Sequence, residues 1–302
     1  MAASTPLGPA LRISGQALLE WRQTMLHRGA ESSELDWLLE LAAGVGWQEL
    51  QQLRLNPGRE LQLHAPLAEL EAIWQRHSRD HEPLQYLVGR CPWRDLEIAV
   101  APGVLIPRQE TEVLVELALH RAQRNSHPPH RWADLGTGSG CLALALARAW
   151  PTSEGFATDD SPEALRQAEI NCKRYGLQER IQLLQGSWWE PLSPWWGQLE
   201  LVVANPPYIP VPVWQQLEPL VRHHEPALAL RSGADGLDAL RAIAAGARRS
   251  LAPGGWLLLE HHHDQSNAVL HLLNEAGLEE TCAERDLEGR WRFAVARAPH
   301  QR

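Results

Sequence analysis

The chain has 302 residues and a formal charge of −9, with 44% hydrophobic and 22% charged residues. That is ordinary globular composition, long enough for two domains or for one large domain with an appendage. The acidic balance argues against a protein whose main work is gripping nucleic acid by its phosphates, because that needs a cationic face. Usage inside these classes is skewed. Lys173 is the only lysine among 28 basic residues, and 14 tryptophans stand against two phenylalanines and three tyrosines.

No run approaches the roughly 18 uninterrupted apolar residues of a membrane-spanning helix. Met1–Ser14 has no apolar core of the signal-peptide kind, while its Ser and Arg content and shortage of acids leave a transit peptide open. Four separated cysteines (Cys91, Cys141, Cys172, Cys282) without a CxxC pair predict reduced thiols in a cytoplasmic protein.

Residues 14–80 read as helices and little else. Ser14 caps a segment carrying Leu18, Leu19, Arg22, Met25 and Leu26 at helical spacing, and Ser33 caps a second with Leu35, Leu38, Leu39 and Ala42 on one face. A short third helix covers 47–55 and stops at Asn56-Pro57-Gly58. A fourth covers 66–81, with Leu67, Leu70, Ile73, Trp74 and His77 inward. The expectation is a helical bundle over residues 1–82, broken by Pro83. Residues 83–106 change character. Leu96, Ile98 and Val100 alternate between glycines and prolines, which predicts a β-hairpin linker.

From about residue 107 to 302 strands alternate with helices. Helices are expected at 110–124, 139–149, 162–175, 236–251 and 265–276, with a loop at 125–130. Strands are expected at 131–135, 154–158, 181–184, 199–204 and 256–260, and near 279–283 and 290–296. This rhythm predicts an α/β domain with a doubly wound, mostly parallel sheet.

Asp134-Leu135-Gly136-Thr137-Gly138-Ser139-Gly140 follows the first of these strands and opens a helix. Glycines at i, i+2 and i+4 let the backbone approach a ligand where a Cβ would collide. The spacing is GxGxG rather than the GxGxxG that seats a pyrophosphate on a helix N-terminus. An acid leading a shorter loop suits an amine-bearing ligand. The second strand ends in Asp159, 23 residues past Gly136, where a carboxylate can take both hydroxyls of a ribose. Ser161 reads as the cap of the next helix.

The fourth strand runs into Asn205-Pro206-Pro207-Tyr208. These residues suit an attacking NH2 on a planar group. The Asn205 side-chain oxygen and the Pro206 carbonyl can each accept one N–H. Pro206 and Pro207 stiffen that pair, and the Tyr208 ring can stack on the substrate. Holding the nitrogen in line with a methyl group supplies proximity and orientation.

The sequence resembles the HemK/PrmC family of protein-(glutamine-N5) methyltransferases, which modify class 1 peptide chain release factors. The resemblance covers nearly all of 83–297. It includes Pro83–Gly89, the hairpin, Leu105–Glu112, Asp134–Gly140, Asp159, Asn205–Tyr208, Glu225-Pro226-Ala227-Leu228 and Leu257–His261. It implies a class I methyltransferase sheet that binds S-adenosylmethionine and methylates the glutamine of a Gly-Gly-Gln tripeptide. It also implies a helical domain that helps dock the release factor. Carried over residue by residue, Asp134, Gly136, Thr137, Gly138 and Gly140 form the turn at the methionine end of the cofactor, and Asp159 holds the ribose. Asn205, Pro206, Pro207 and Tyr208 receive the substrate amide, and Asn205 also borders the cofactor. Two departures stand out. Gln109 replaces a proline of the family's Arg-Pro-Glu-Thr-Glu segment, which predicts a looser loop. Ser187 stands where the family has an acid before an aromatic pair, leaving the Ser187 hydroxyl and the Trp188 backbone N–H for the adenine.

His261-His262-His263-Asp264 is three adjacent histidines in one loop with no partner cluster, so no metal site is expected. Glu225 is expected to position its loop, and Trp195-Trp196 to pack beneath one. Three other readings compete with release-factor glutamine methylation: glutamine N5-methylation of a ribosomal protein, N6-adenine methylation of nucleic acid, and a non-catalytic adaptor for release factor or ribosome. The second lacks a cationic recognition region, and the third has no use for an intact Asn205 beside an intact glycine loop. Trp93 and Trp189 fall where the family tends to carry phenylalanine or another aromatic. The tryptophan excess therefore reads as residue usage on a standard scaffold.

Overall fold

The computed structural model describes residues 11–124 and 127–300. Most of the Met1–Ser14 segment, and with it the transit-peptide question, lies outside those residues, as do Asn125 and Ser126 of the expected loop. The chain divides into two compact units, Met1–Cys91 and Pro92–Arg302. Among the described residues no helix is long and apolar enough to cross a membrane.

The first unit contains helices α1 (Gly15–His27), α2 (Ser32–Leu38), α3 (Trp47–Leu55), α4 (Leu67–Asp80) and α5 (Leu84–Val88). Leu18, Leu35, Leu38, Leu50, Leu53 and Leu70 are buried at its centre. Ser14 caps α1 as expected, its Oγ accepting from the Ala17 N–H at 3.2 Å. The second cap differs. Ser33 lies inside α2, whose N-cap Glu31 makes no side-chain capping bond. Arg22 instead organises this end: it donates to Ser32 Oγ at 2.7 Å and to both oxygens of Asp36 at 2.5 and 2.9 Å. The reading of 14–80 as helices alone also needs correcting. Strands β1 (Leu11–Ser14) and β2 (Glu60–Leu63) pair antiparallel. Four-residue strands carry too little alternation to show in the sequence.

The division between the units falls inside strand β3 (Arg90–Trp93), which pairs with β4 (Leu96–Ala99) in a two-stranded sheet. The expected hairpin is therefore present, though residues 84–88 are the helix α5 and not part of it. The second unit continues with α6 (Glu112–Ala122), β5 (Arg131–Leu135), α7 (Cys141–Ala149), β6 (Glu154–Asp159), α8 (Pro162–Arg174) and β7 (Ile181–Gln185). It goes on through β8 (Leu199–Ala204), α9 (Val211–Trp214), α10 (Pro219–His224) and α11 (Asp238–Ser250). It closes with β9 (Leu251–Glu260), α12 (Ser266–Glu275), β10 (Glu279–Arg285) and β11 (Trp291–Arg297). The two short helices after β8 have too few turns to build a periodic pattern, and each carries proline in its first turn.

Seven strands form one sheet in the order β10-β11-β9-β8-β5-β6-β7. The five strands from β9 to β7 are parallel, and β11 and β10 close one edge antiparallel. Residues such as Leu135, Phe156, Val202, Leu257 and Ala294 are fully buried, as expected for strands covered on both faces. Asn171 on α8 is buried and makes three bonds: its Nδ2 donates to Ala99 O and to Ser139 O at 2.9 Å each, and its Oδ1 accepts from the Ala99 N–H at 2.8 Å. It ties strand β4 and the glycine turn to one helix.

The indole N–H groups of Trp93, Trp189 and Trp196 donate to the carbonyls of Arg108, Ile243 and Trp189 at 2.7, 2.9 and 3.0 Å, which phenylalanine cannot do. Those of Trp21, Trp132, Trp214 and Trp256 are buried without a hydrogen-bond partner among the described residues. Trp195 packs on Phe156 with ring centroids 4.3 Å apart.

Trp189 also fixes a glycine. A Cβ on Gly246 of α11 would stand 2.2 Å from Trp189 Cδ1. Alanine in a helix interior gains roughly 1 kcal/mol over glycine, while overpacking costs about 1–3 kcal/mol. Gly246→Ala is expected to lower unfolding free energy by a net of up to ~2 kcal/mol, measured by chemical denaturation. A more stable variant would show that Trp189 does not press on α11.

Candidate active site

Strand register sets the site. Leu135 opposes Thr158 on one side and Ala204 on the other, and Ala204 opposes Leu259, so the carboxyl ends of four strands are level. The loops that leave them surround a cavity of about 270 Å³.

Gly136, Gly138 and Gly140 all have positive φ, at 72°, 57° and 85°, the left-handed region that favours glycine. A Cβ on Gly140 would press on Ala168 of α8 at 3.2 Å, and one on Gly136 on the Trp188 ring at 3.2 Å. Gly138 has no atom within 4 Å of that direction, so its open face borders the cavity. Asp134 lies beneath this turn and is fully buried. Its Oδ2 accepts from Thr137 Oγ1 at 2.6 Å, while Oδ1 is buried with no hydrogen-bond partner of good geometry among the described residues. Burial pushes the carboxyl up to about 7, against the Thr137 hydroxyl and the Ala143 amide, which lower it. A buried oxygen without a well-placed partner beneath a glycine turn could take a cationic group.

Asp159 lines the cavity, and its oxygens accept from the N–H groups of Gly138 and Ser161 at 2.9 Å each. Burial raises its pKa, and those two bonds hold it down. Each oxygen keeps a further lone pair for a ligand hydroxyl. Ser161 caps α8 as well, accepting from the Ala164 N–H at 3.2 Å. Ser187 and Trp188 form another wall, and Trp188 holds a left-handed φ of 45°.

Asn205 and Pro207 line the cavity, while Pro206 is buried behind them. The Asn205 Nδ2 donates to Thr111 Oγ1 at 2.9 Å, and Thr111 Oγ1 donates to Glu260 Oε2 at 2.7 Å. Tyr208 is not among the residues that line the cavity, and it donates to Glu260 Oε1 at 3.4 Å. Burial and Glu260 raise the Tyr208 phenol, so it remains a donor. Burial pushes Glu260 up to about 7, against the Thr111 hydroxyl, the Arg292 guanidinium and Tyr208. Buried Glu225 positions a loop, as its sequence context predicts. It accepts from Arg108 at 2.6 Å and from the Ile106 N–H at 3.4 Å, joining two cavity walls.

The structure thus gathers Gly136, Thr137, Gly138, Asp159, Ser187, Trp188, Asn205 and Pro207 on one cavity, with Asp134, Gly140, Pro206 and Tyr208 behind its lining. Sequence reasoning assigned no role to Thr111, Asn171 or Glu260. Glu260 had a signal, a charged residue ending the apolar run Leu257-Leu258-Leu259 at the ligand edge of a sheet. The histidine run is not wholly solvated, because His261 is buried and only His262 and His263 lie further out. Among the described residues no group of three His, Cys, Asp or Glu could hold a metal ion.

A mostly parallel seven-stranded sheet, with a glycine turn after β5 and an acid ending β6, defines a class I methyltransferase. Residues 109–212 match the family model described as Methyltransferase small domain. The catalytic domain of hMettl16 in complex with MAT2A 3'UTR hairpin 6 shares the fold, with a TM-score of 0.54 over 91% of this chain and 95% of that one, at 11% identity. The chain is 49% identical over 286 residues to the Release factor glutamine methyltransferase of Prochlorococcus marinus, covering 95% of this chain and 98% of that one. It is 40% identical over 294 residues to that of Thermosynechococcus vestitus, covering 95% and 100%. The chain belongs to the release factor glutamine methyltransferase family.

Asp134 and Glu260 both hold protons more tightly folded than unfolded, since their values rise from 3.8 and 4.5 to about 7. Their contribution to stability is full below about pH 4 and is lost as pH rises through about 7. Unfolding free energy is expected to fall between about pH 4 and about pH 7. Asp134→Asn should flatten that slope and be more stable than wild type at the higher pH. An unchanged slope would mean that Asp134 titrates normally.

Proposed function

We propose that this chain transfers the methyl group of S-adenosylmethionine to the side-chain N5 of the glutamine in the Gly-Gly-Gln motif of class 1 peptide chain release factors, in the cytoplasm. The observation that carries the reading is Asn205, held by its NH2 group on Thr111 at 2.9 Å so that its oxygen is left for a substrate N–H. The relatives' names support release factor as the substrate class.

The residues present fit the cofactor. Asp134 Oδ1, buried without a well-placed partner, suits the ammonium of the methionine end, and the open face of Gly138 leaves room for that end. Asp159 has lone pairs for two ribose hydroxyls, and Ser187 and Trp188 line the same cavity, where they can meet the adenine. When bound, S-adenosylmethionine supplies an electrophilic methyl carbon.

The chain's own residues act on the carboxamide. Asn205 Oδ1 and the Pro206 carbonyl each accept one N–H, which fixes the direction of the nitrogen lone pair. Both acceptors gain strength as positive charge develops on nitrogen, so they stabilise the transition state more than the ground state. The nitrogen then becomes acidic enough to release its proton without a strong general base. The helical unit helps dock the release factor.

Incubation with S-adenosylmethionine and purified release factor, followed by peptide mass spectrometry, is expected to place one methyl on that glutamine. A methyl on lysine or arginine, or none, would overturn the reading. Asn205→Ala is expected to slow transfer about 100-fold or more, with cofactor affinity nearly unchanged. A large loss of affinity would mean that Asn205 serves the cofactor instead.

A further inference from the structure

The glutamine reading needs one orientation of the Asn205 amide, and a buried relay behind it dictates that orientation. The Ala204↔Leu259 register puts Asn205, just past β8, beside Glu260, the last residue of β9. Thr111, from the loop before α6, stands between them and is 3% exposed, while Glu260 is fully buried. The donors run in one direction: Asn205 Nδ2 to Thr111 Oγ1 at 2.9 Å, then Thr111 Oγ1 to Glu260 Oε2 at 2.7 Å. Tyr208 takes the other carboxylate oxygen at 3.4 Å. Arg292 on β11 and Glu110 before α6 are the other charged groups that act on Glu260, and Arg292 is engaged by Asp286 at 2.8 Å.

A hydroxyl has a single proton, and once ionised, above about pH 7, the Glu260 carboxylate can only accept. Thr111 must therefore direct its proton at Glu260, and it keeps only lone pairs for Asn205. Asn205 can then meet Thr111 only through its NH2 group. Its Oδ1 accepts no hydrogen bond among the described residues, and Asn205 lines the cavity.

We propose that Glu260 is a positioning residue that acts through Thr111 to fix the Asn205 amide with its oxygen toward the substrate nitrogen. This rests on the reading of the site as a glutamine-amide methyltransferase. Glutamine at 260 can donate as well as accept, so it no longer forces the direction of the relay. In Glu260→Gln, kcat is expected to fall about tenfold or more while the Kd for S-adenosylmethionine moves less than about twofold. Removal of the buried charge should leave stability equal or higher. Thr111→Val should lose rate similarly, and Thr111→Ser, which keeps the hydroxyl, should rescue it. Because the two residues act as one unit, the Thr111→Val/Glu260→Gln double variant should be little slower than either single one.

An NMR readout separates this inference from the substrate assignment. The Asn205 side-chain amide protons, identified by their loss in Asn205→Asp, are expected to exchange about tenfold faster or more in Glu260→Gln and in Thr111→Val than in wild type. Wild-type kcat in both variants, or unchanged exchange in both, would overturn the inference. If wild type places no methyl on release factor, the substrate assignment fails, and the exchange rates still decide the relay.

Discussion

The parallel hydrogen-bond ladder through β6, β5, β8 and β9 levels the strand ends that surround the cavity. Leu135 faces Thr158 and Ala204 at once, and Ala204 faces Leu259. Strand side chains alternate faces, so a slip of one residue would turn Glu260 away from Asn205 and Asp159 away from the glycine turn. Fully buried residues on these strands resist such a slip, since it would move a whole apolar set. Packing and chemistry therefore depend on the same register.

The site also concentrates polar groups where burial disfavours them. Asp134 and Glu260 are both fully buried, and each is only partly compensated. Glu260 has two hydroxyls and Arg292 around it, whereas Asp134 has one hydroxyl and one oxygen without a well-placed partner. The better-served carboxyl belongs to the relay within the protein. The worse-served one lies beneath the glycine turn, behind the lining of the cavity.

Strands such as β5 and β8 were legible to the residue, because short apolar runs bounded by turn signals have little other solution. Gly136, Gly138, Asp159, Asn205 and Pro207 meet on one cavity, as residues at the carboxyl ends of neighbouring parallel strands must. Helix α2 was misread at its cap because Arg22, distant in sequence, captures Ser32 and Asp36, and no local pattern announces that. The β1–β2 pair depends on partners some 50 residues apart, and its strands have four residues each. Glu260 stood in plain view without a role, because its partner Thr111 comes from 149 residues away. Local pattern reveals what a residue can do, and tertiary contact decides whom it does it with.

Asn171 and Ala168 sit one turn apart on α8, and the glycine turn is shaped against both. Ala168 leaves space for a residue without a Cβ at 140, and Asn171 grips the Ser139 carbonyl while holding strand β4 with the same amide. The curvature of the loop is thus moulded by a helix some 30 residues downstream. Variation at Gly140 and Ala168 should be coupled in descent, as should variation at Asn171 and the backbone path near Ala99. A transplanted Asp134–Gly140 segment would keep its shape only if the face of α8 travelled with it.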